Sequence, residues 1–358
     1  MSFSIIEKDY KKIRGVKVSE ATIIEVAEEA GVSPATVSRV MNDSAPVSSE
    51  KESKVMDAVQ RLDYKPNKFA HALRKQRSNI VGVVVPDVSN PYFATLIRGA
   101  ESYLHQTDKS VLICDTNSKA EQEGEYIDTL LEEKVDGVIL VSSGEDSKQL
   151  ESLLNKDIPL VAADRDPHLN KVSKVLANNS EGGKLAADHL IGKGYKSFGL
   201  VKGPTGVSTA TLREKGFREV LQEKDIAIKQ DFLFEGDFTY KRGREAGRKL
   251  INRVEESMLP MGIFAADDLM ALGVLWELNS AGVQVPEDFG VIGFDDILMS
   301  KLMFPSLSTI SIPAYQIGQE AAKIVVEDIK RAERDLNITR TEKHFEVKLV
   351  ERGSTSIT

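Results

Sequence analysis

From Ile80 onward, short apolar runs alternate with amphipathic stretches of helical period, and no other feature constrains the fold as tightly. The runs are Val81–Val85, Val111–Cys114, Val138–Val141, Leu160–Ala163, Phe198–Val201, Ile263–Ala266 and Val291–Phe294. Helical segments lie between them near 92–105, 119–133, 180–192, 208–223, 239–252, 268–281 and 314–332. A short apolar run bounded by polar residues suits a strand buried on both faces. Strands alternating with helices form parallel sheets covered by helices. The expected class is therefore α/β with doubly wound parallel sheets. Residues 80–350 are too many for one comfortable sheet, so two lobes are expected, with 351–358 as a tail.

The chain has 358 residues, enough for two or three domains. Hydrophobic residues make up 41% and charged residues 28%, which suits a globular protein rather than a disordered one. No apolar run approaches the roughly 20 residues that span a bilayer, so no membrane partner is expected. The first 30 residues lack the apolar stretch and cleavage site of a signal peptide. The one cysteine, Cys114, excludes an intrachain disulfide and reads as a core residue. A cytoplasmic location is the expectation.

The net charge of −8 is unevenly distributed. Residues 1–77 carry 14 Lys+Arg against 11 Asp+Glu, a net of +3, and the remainder carries −8 − 3 = −11. A nucleic-acid surface therefore belongs at the N-terminus. Residues 1–20 read as a flexible basic arm. Residues 21–65 read as three short helices. The first opens with a Thr22-x-x-Glu25 capping box and ends at Gly31. The second has Ser33 as N-cap and Pro34 at its first position, with Val37 and Val40 inward. The third opens at Ser49-x-x-Glu52 and repeats Val55, Met56, Val59 and Leu62. Residues 66–79 read as a basic linker that holds a short helix.

The first two helices fit a helix-turn-helix. Ala27 admits a second helix at close range, Gly31 permits the turn, and Val37 locks the pair. The start and outer face of the second helix, Pro34, Ala35, Thr36, Ser38 and Arg39, are then free to enter a major groove. Arg39 has the fork that contacts guanine. A plain three-helix bundle with Arg39 on a solvated face fits the same periodicity.

Residues 22–42, from Thr22 through Asn42, resemble the head of the lactose-repressor/galactose-repressor (LacI/GalR) family. Tyr64-Lys-Pro-Asn67, followed by Ala70-His-Ala-Leu73-Arg74, resembles that family's hinge helix. The likeness continues to about residue 350. It implies a periplasmic-binding-protein-like core behind the head, a homodimer on double-stranded operator DNA, and a small sugar effector. It implies DNA contacts from Thr22, Ser33, Pro34, Ala35, Thr36, Ser38, Arg39, Asn42, Asn67 and Arg74, with Leu73 as a wedge in the minor groove.

Nothing in the core points to catalysis, a metal or a cofactor. Gly182-Gly183-Lys184 lacks the spacing of a phosphate loop, and no His/Cys pair has metal spacing. What remains is a set of polar and aromatic residues just after strand ends, where two-lobed α/β proteins bind ligands. They are Asp87, Asn90, Tyr92, Phe93, Asp164, Arg165, Phe238, Asp267 and Asp295, with Arg213 on a loop-to-helix segment, the mix that brackets sugar hydroxyls and ring faces. Asp268 and Asp296 read equally well as helix N-caps. In the resembled family the positions of Asp164, Arg213, Phe238, Asp267 and Asp295 contact sugar, and Asn90–Phe93 with Asp164-Arg165 looks like a ribose-type core.

Two positions depart from that pattern. Asp267 stands where the family usually has Asn, and Ile312 stands where it commonly has Gln. Ribose, another pentose, a hexose or a sugar alcohol all remain open. The expected function is repression of a sugar-utilisation operon, relieved by the sugar. Response to a phosphorylated carrier protein ranks lower, because Lys301–Met303 offers no basic surface. Purine effectors rank lower beside Asp164-Arg165. Activation, or service as a transport binding protein, are the other readings. Trp276 reads equally as core or as dimer surface.

Overall fold

The computed structural model describes residues 21–42, 45–64, 78–144, 150–156, 158–170, 172–334 and 336–356. The chain divides into two compact units, Met1–Arg77 and Ser78–Thr358.

The first unit contains α1 (Ile23–Ala30), α2 (Pro34–Asn42) and α3 (Ser49–Arg61). The capping box forms: the Thr22 hydroxyl accepts from the Glu25 N–H, and the Glu25 carboxylate accepts from the Thr22 N–H. Gly31 closes α1 in the left-handed conformation, φ 63°, which costs a residue with a Cβ more than it costs glycine. Ser33 caps α2 through the Thr36 N–H at 3.2 Å. Val26, Ala27, Ala30, Val37, Val55 and Ala58 are the buried core. The third helix corrects the reading of its sequence. Its N-cap is Ser48, without a side-chain cap bond. Met56 is 50% exposed, and Ala58 takes the inward place. At 3.6 residues per turn, Met56 lies about 100° around the helix from Val55 and so misses the shared face.

The second unit has two six-stranded sheets. The first lobe orders its strands β11-β5-β4-β3-β1-β2, with β1 (Ile80–Val85), β2 (Ser110–Asp115), β3 (Gly137–Leu140), β4 (Leu160–Asp164), β5 (Ser173–Ala177) and β11 (Glu342–Phe345). The second lobe orders β12-β10-β9-β8-β6-β7, with β6 (Ser197–Val201), β7 (Leu233–Phe234), β8 (Met261–Ala265), β9 (Phe289–Asp295), β10 (Ser308–Ser311) and β12 (Lys348–Val350). All neighbours are parallel except β10 and β12, which run antiparallel. The chain crosses between lobes after β5, β10 and β11, so each lobe takes its edge strand from the C-terminal part.

Helices α4 (Pro91–His105), α5 (Ala120–Glu132), α6 (Leu150–Asn155) and α12 (Ala314–Ala332) belong to the first lobe. Helices α7 (Asn179–Gly192), α8 (Ser208–Glu223), α9 (Tyr240–Arg253), α10 (Asp268–Ser280) and α11 (Leu298–Leu302) belong to the second. The central strands of both sheets are buried on both faces, and the edge strands β2, β11 and β12 are more exposed. Cys114 is buried.

Three expectations change. The core does not stop at 350: Ser354 and Thr355 are wholly buried, and the Val291 N–H donates to the Ser354 carbonyl at 3.0 Å. The segment expected as a tail is tied to β9 and β10 by backbone and hydroxyl bonds. At the other end, Ser78 donates to Asp136, so residues 78–79 join the core rather than the linker. Trp276 is 47% exposed, beside Arg244, and is not a core residue.

Candidate functional site

Two strand ends and a helix start build the first-lobe half of the site. Asn90 caps α4 by accepting from the Tyr92 N–H at 3.0 Å, with Pro91 at the first helical position. This fixes Tyr92 and Phe93 on the first turn, both buried, with ring centroids 5.2 Å apart and edge to face. The Tyr92 hydroxyl donates to Asp164 at the end of β4. Arg165 follows, donating to the Ser142 carbonyl at 3.0 Å and lying 5.4 Å from the Phe93 ring and 5.6 Å from the Phe238 ring.

The second lobe supplies the other half. Arg213, on α8, donates to Asn179 Oδ1 at 2.8 Å and to the Ala266 carbonyl at 2.7 Å. Its Nη2 lies 3.2 Å from Asp295 Oδ1, close enough for an ion pair but off the line of an N–H. The guanidinium sits 3.9 Å from the Phe294 ring centre. Asp267 caps α10 by accepting from the Met270 N–H at 2.9 Å. Phe238 lies against Gly203, where a Cβ would come within 2.7 Å of the ring; only glycine leaves it room.

These side chains enclose one cavity, lined by Asn90, Tyr92, Phe93, Asp164, Arg165, Thr209, Arg213, Phe238, Asp267 and Asp295. It measures about 10 Å³, room for one water-sized sphere. Nine of the ten residues expected in the core are therefore brought together. Asp87 is not: its carboxylate turns back to accept from the Ser89 N–H and hydroxyl, a local loop bond. Thr209 was not expected. It stands four residues before Arg213, on the same helix face, and that spacing was its signal. Asn179, which orients Arg213, carried no such signal. Ile312 lines a larger neighbouring cavity of about 710 Å³, which shares Tyr92 and Asp295 with the first.

Three cavity residues hold backbone angles that L-residues rarely adopt: Asp164 at φ 64°, Phe238 at φ 64° and Asp295 at φ 112°. Such conformations cost about 1–3 kcal/mol each and cluster at functional sites. The electrostatics are also unusual. Burial pushes Asp267 up to about 7, with Asp268 adding to the rise and the Met270 N–H and Arg213 opposing it. Burial raises Asp295 well above the ordinary carboxylate range, against the pull of Arg213. It also raises Tyr92, reinforced by Asp164, and lowers Arg165, which Asp164 opposes.

Asp268 serves a different purpose. It is buried behind the cavity and accepts from the Ile297 N–H and the Ser300 and Thr309 hydroxyls. The cap is Asp267, not Asp268, and Asp296 pairs with Arg352 instead of capping a helix.

The expected DNA contacts divide between described and other residues. Pro34, Ala35 and Arg39 are exposed on α2, with Thr36 and Ser38 half-buried. Thr22 and Ser33 are engaged as caps. The Asn42 side chain, Asn67, Leu73 and Arg74, with the arm 1–20, lie outside the described residues.

A three-helix head with a capped second helix, and a two-lobed α/β core enclosing a polar cavity, define a DNA-binding regulator with a ligand-binding core. The comparisons agree. Residues 22–67 match the profile of bacterial regulatory proteins of the lacI family, and residues 187–355 match a periplasmic binding protein-like domain. The chain is 34% identical to the ribose operon repressor of Halalkalibacterium halodurans, over 88% of this chain and 92% of that one. It is 33% identical to the HTH-type transcriptional repressor PurR of Vibrio cholerae, over 89% and 94%. The solved lac repressor dimer bound to operator and the anti-inducer ONPF superposes with a TM-score of 0.82 at 26% identity, covering 94% of this chain and 99% of that one. The chain belongs to the lacI family of bacterial regulatory proteins and is a DNA-binding transcriptional repressor of that family. Among the described residues, no helix is long and apolar enough to cross a membrane.

Proposed function

We propose that this repressor acts in the cytoplasm as a homodimer on a near-palindromic operator and is released by a sugar or related polyol that binds among the cavity residues once the two lobes part and widen the space of about 10 Å³ between them. The observation that carries the effector reading is a set of buried polar atoms without hydrogen-bond partners: Arg165 Nε, Asp267 Oδ2 and Asp295 Oδ1, all on residues lining one cavity. Buried polar groups are nearly always bonded, and an orphan costs about 1–3 kcal/mol. Polyol hydroxyls satisfy both signs, donating to the carboxylates and accepting from the arginine. Phe93 and Phe238 supply apolar faces for a ring.

The relatives support operator binding and dimerisation, through the lac repressor dimer on its operator, and a sugar-linked operon, through the ribose operon repressor. They do not choose the effector, since relatives of nearly equal identity carry different names. The choice rests on the cavity. In this reading Pro34, Ala35, Thr36, Ser38 and Arg39 face the major groove. Asn42, Asn67 and Arg74 contact the DNA nearby, and Leu73 wedges the minor groove. Effector bound to residues of both lobes changes their angle, the paired linkers separate, and DNA affinity falls. No acid–base or phosphate motif supports turnover, so the ligand is a signal and not a substrate.

The test is a carbohydrate panel screened by thermal shift on the full chain, followed by anisotropy titration of operator selected from random duplexes. The expected result is one sugar that raises the melting temperature and weakens operator binding. A panel in which no sugar or polyol does either overturns the effector reading.

A further inference from the structure

The cavity holds more acid than base. Asp164, Asp267 and Asp295 line it against Arg165 and Arg213, and none of the five is more than 8% exposed. Tyr92 adds a neutral donor to Asp164. Asp164 lies beside Arg165, with Oδ2 4.0 Å from Nε, and Asp295 lies beside Arg213 at 3.2 Å. Asp267 is left over. Its Oδ1 takes the Met270 N–H, while its Oδ2 is buried with no partner. The charged groups acting on it are Asp268, Asp237 and Arg213, two acids and a base already committed elsewhere. An unpaired carboxylate in a closed site is costly, and an amide in the same place would bond a hydroxyl without that cost. This is the position where the family resemblance implies Asn.

We propose that the effector is an amino sugar, or a like amino polyol, whose ammonium group sits against Asp267. The inference rests on the sugar-effector reading above and narrows it. One ammonium brings the cavity's formal charge to zero. Its three N–H donors are enough for the two orphan acceptors, Asp267 Oδ2 and Asp295 Oδ1, which both belong to residues lining this cavity. A neighbouring hydroxyl oxygen accepts from Arg165 Nε. A neutral sugar can donate a hydroxyl to Asp267 Oδ2 but leaves its charge uncompensated. An acidic sugar adds a fourth negative charge.

The experiment is calorimetric titration of the full chain at pH 7.0 with D-glucosamine, D-galactosamine and D-mannosamine. Each is compared with its parent hexose and its N-acetyl derivative, with D-ribose and D-xylose alongside. At least one amine is expected to bind ten-fold or more tightly than its parent, and its N-acetyl form to lose that advantage. D267N should cut the preference below two-fold. The variant keeps the fold, because Asn caps a helix as well as Asp does. Its melting temperature and operator affinity check this. The pH dependence gives a second readout. With Asp267 titrating near 7, lowering the pH from 7.0 to 5.5 should weaken amine binding by about 15-fold, since the proton competes with the ammonium. If a neutral sugar binds more tightly than every amine and D267N leaves the order unchanged, the amino-sugar inference falls and the sugar reading stands. If nothing in the panel binds, both fall.

Discussion

Arg213 and Asp295 meet across the second lobe, from the middle of α8 and the end of β9, with 3.2 Å between Nη2 and Oδ1 and each side chain at most 6% exposed. The pair is held by geometry on both sides: Asn179 and the Ala266 carbonyl fix the guanidinium, and a left-handed backbone fixes the carboxylate. Neither side chain can turn to water if the other is lost.

Arg213→Leu should therefore destabilise the core by about 3–5 kcal/mol, the cost of stranding a buried charge. Protonation of Asp295, already favoured by burial, moderates the loss at low pH. Adding Asp295→Asn to Arg213→Leu should restore part of the stability. Urea unfolding at pH 7 measures both, and a double variant no more stable than Arg213→Leu would show that the charges do not interact.

Asp267 and Asp268 make stability depend on pH in an unusual direction. Both carry folded-state values raised by burial, to about 7 and about 6, above the ordinary 3.8. The folded chain thus binds protons more tightly than the unfolded one. The stabilisation is complete below the unfolded value and is lost as pH rises through the folded values. The core should be more stable at pH 5 than at pH 8 by an amount on the order of a few kcal/mol, and so should unfold at a higher temperature. Asp267→Asn should flatten the part of this slope nearest neutrality. A melting temperature that climbs from pH 5 to 8 would contradict the assignment.

Thr209 and Asp87 separate cavity membership from sequence expectation. Thr209→Val should reduce effector affinity five-fold or more, because it exchanges a hydroxyl on the cavity wall for a methyl. Asp87→Ala should leave affinity within two-fold, since that carboxylate serves only the Ser89 turn. Calorimetry with whichever sugar the panel identifies decides both.

The sequence was most legible where chemistry and burial agree. β1, β4 and β9 show as apolar runs because both faces of their sheets are covered. β10 was hidden by Ser308 and Thr309, hydroxyl residues that are wholly buried yet bonded to Thr355 and Asp268. β5 opens on Ser173, which is buried and bonded to the Thr341 N–H in the same way. β7, two residues long, leaves no periodicity to read. In the site, the strand-end rule found eight residues because a parallel sheet gathers the ends of its strands at one edge, while Arg213 reaches the cavity from within α8. It failed at Asp87, where a loop turned back on itself. It also left the Asp267-Asp268 pair unresolved. Either residue can cap a helix, and only partners 29 to 41 residues away show that Asp268 is structural.

The head makes a separate prediction. Arg39 is exposed on α2, one turn beyond Ala35 and outside the buried core of that unit. Arg39→Ala should leave folding intact and cost about 1–3 kcal/mol of operator affinity, concentrated at one base pair of each half-site. Selection of operators by the variant should show relaxed preference at that pair alone. Uniform weakening across all sequences would make Arg39 a phosphate contact.

Leu73 tests how the head is coupled to the effector. If it wedges a minor-groove step, Leu73→Ala removes the side chain that holds the bend, so both bending and affinity fall. The effector should then have less left to release, because an agent can weaken binding only by what distinguishes the two states. Coupling is reciprocal, so the variant on operator DNA should also bind effector more nearly as the free protein does, against an expected difference of about 5–150-fold for the parent. Gel mobility of permuted operators reads the bend, and calorimetry with and without DNA reads the coupling. Full bending with full coupling in Leu73→Ala would remove Leu73 from the mechanism.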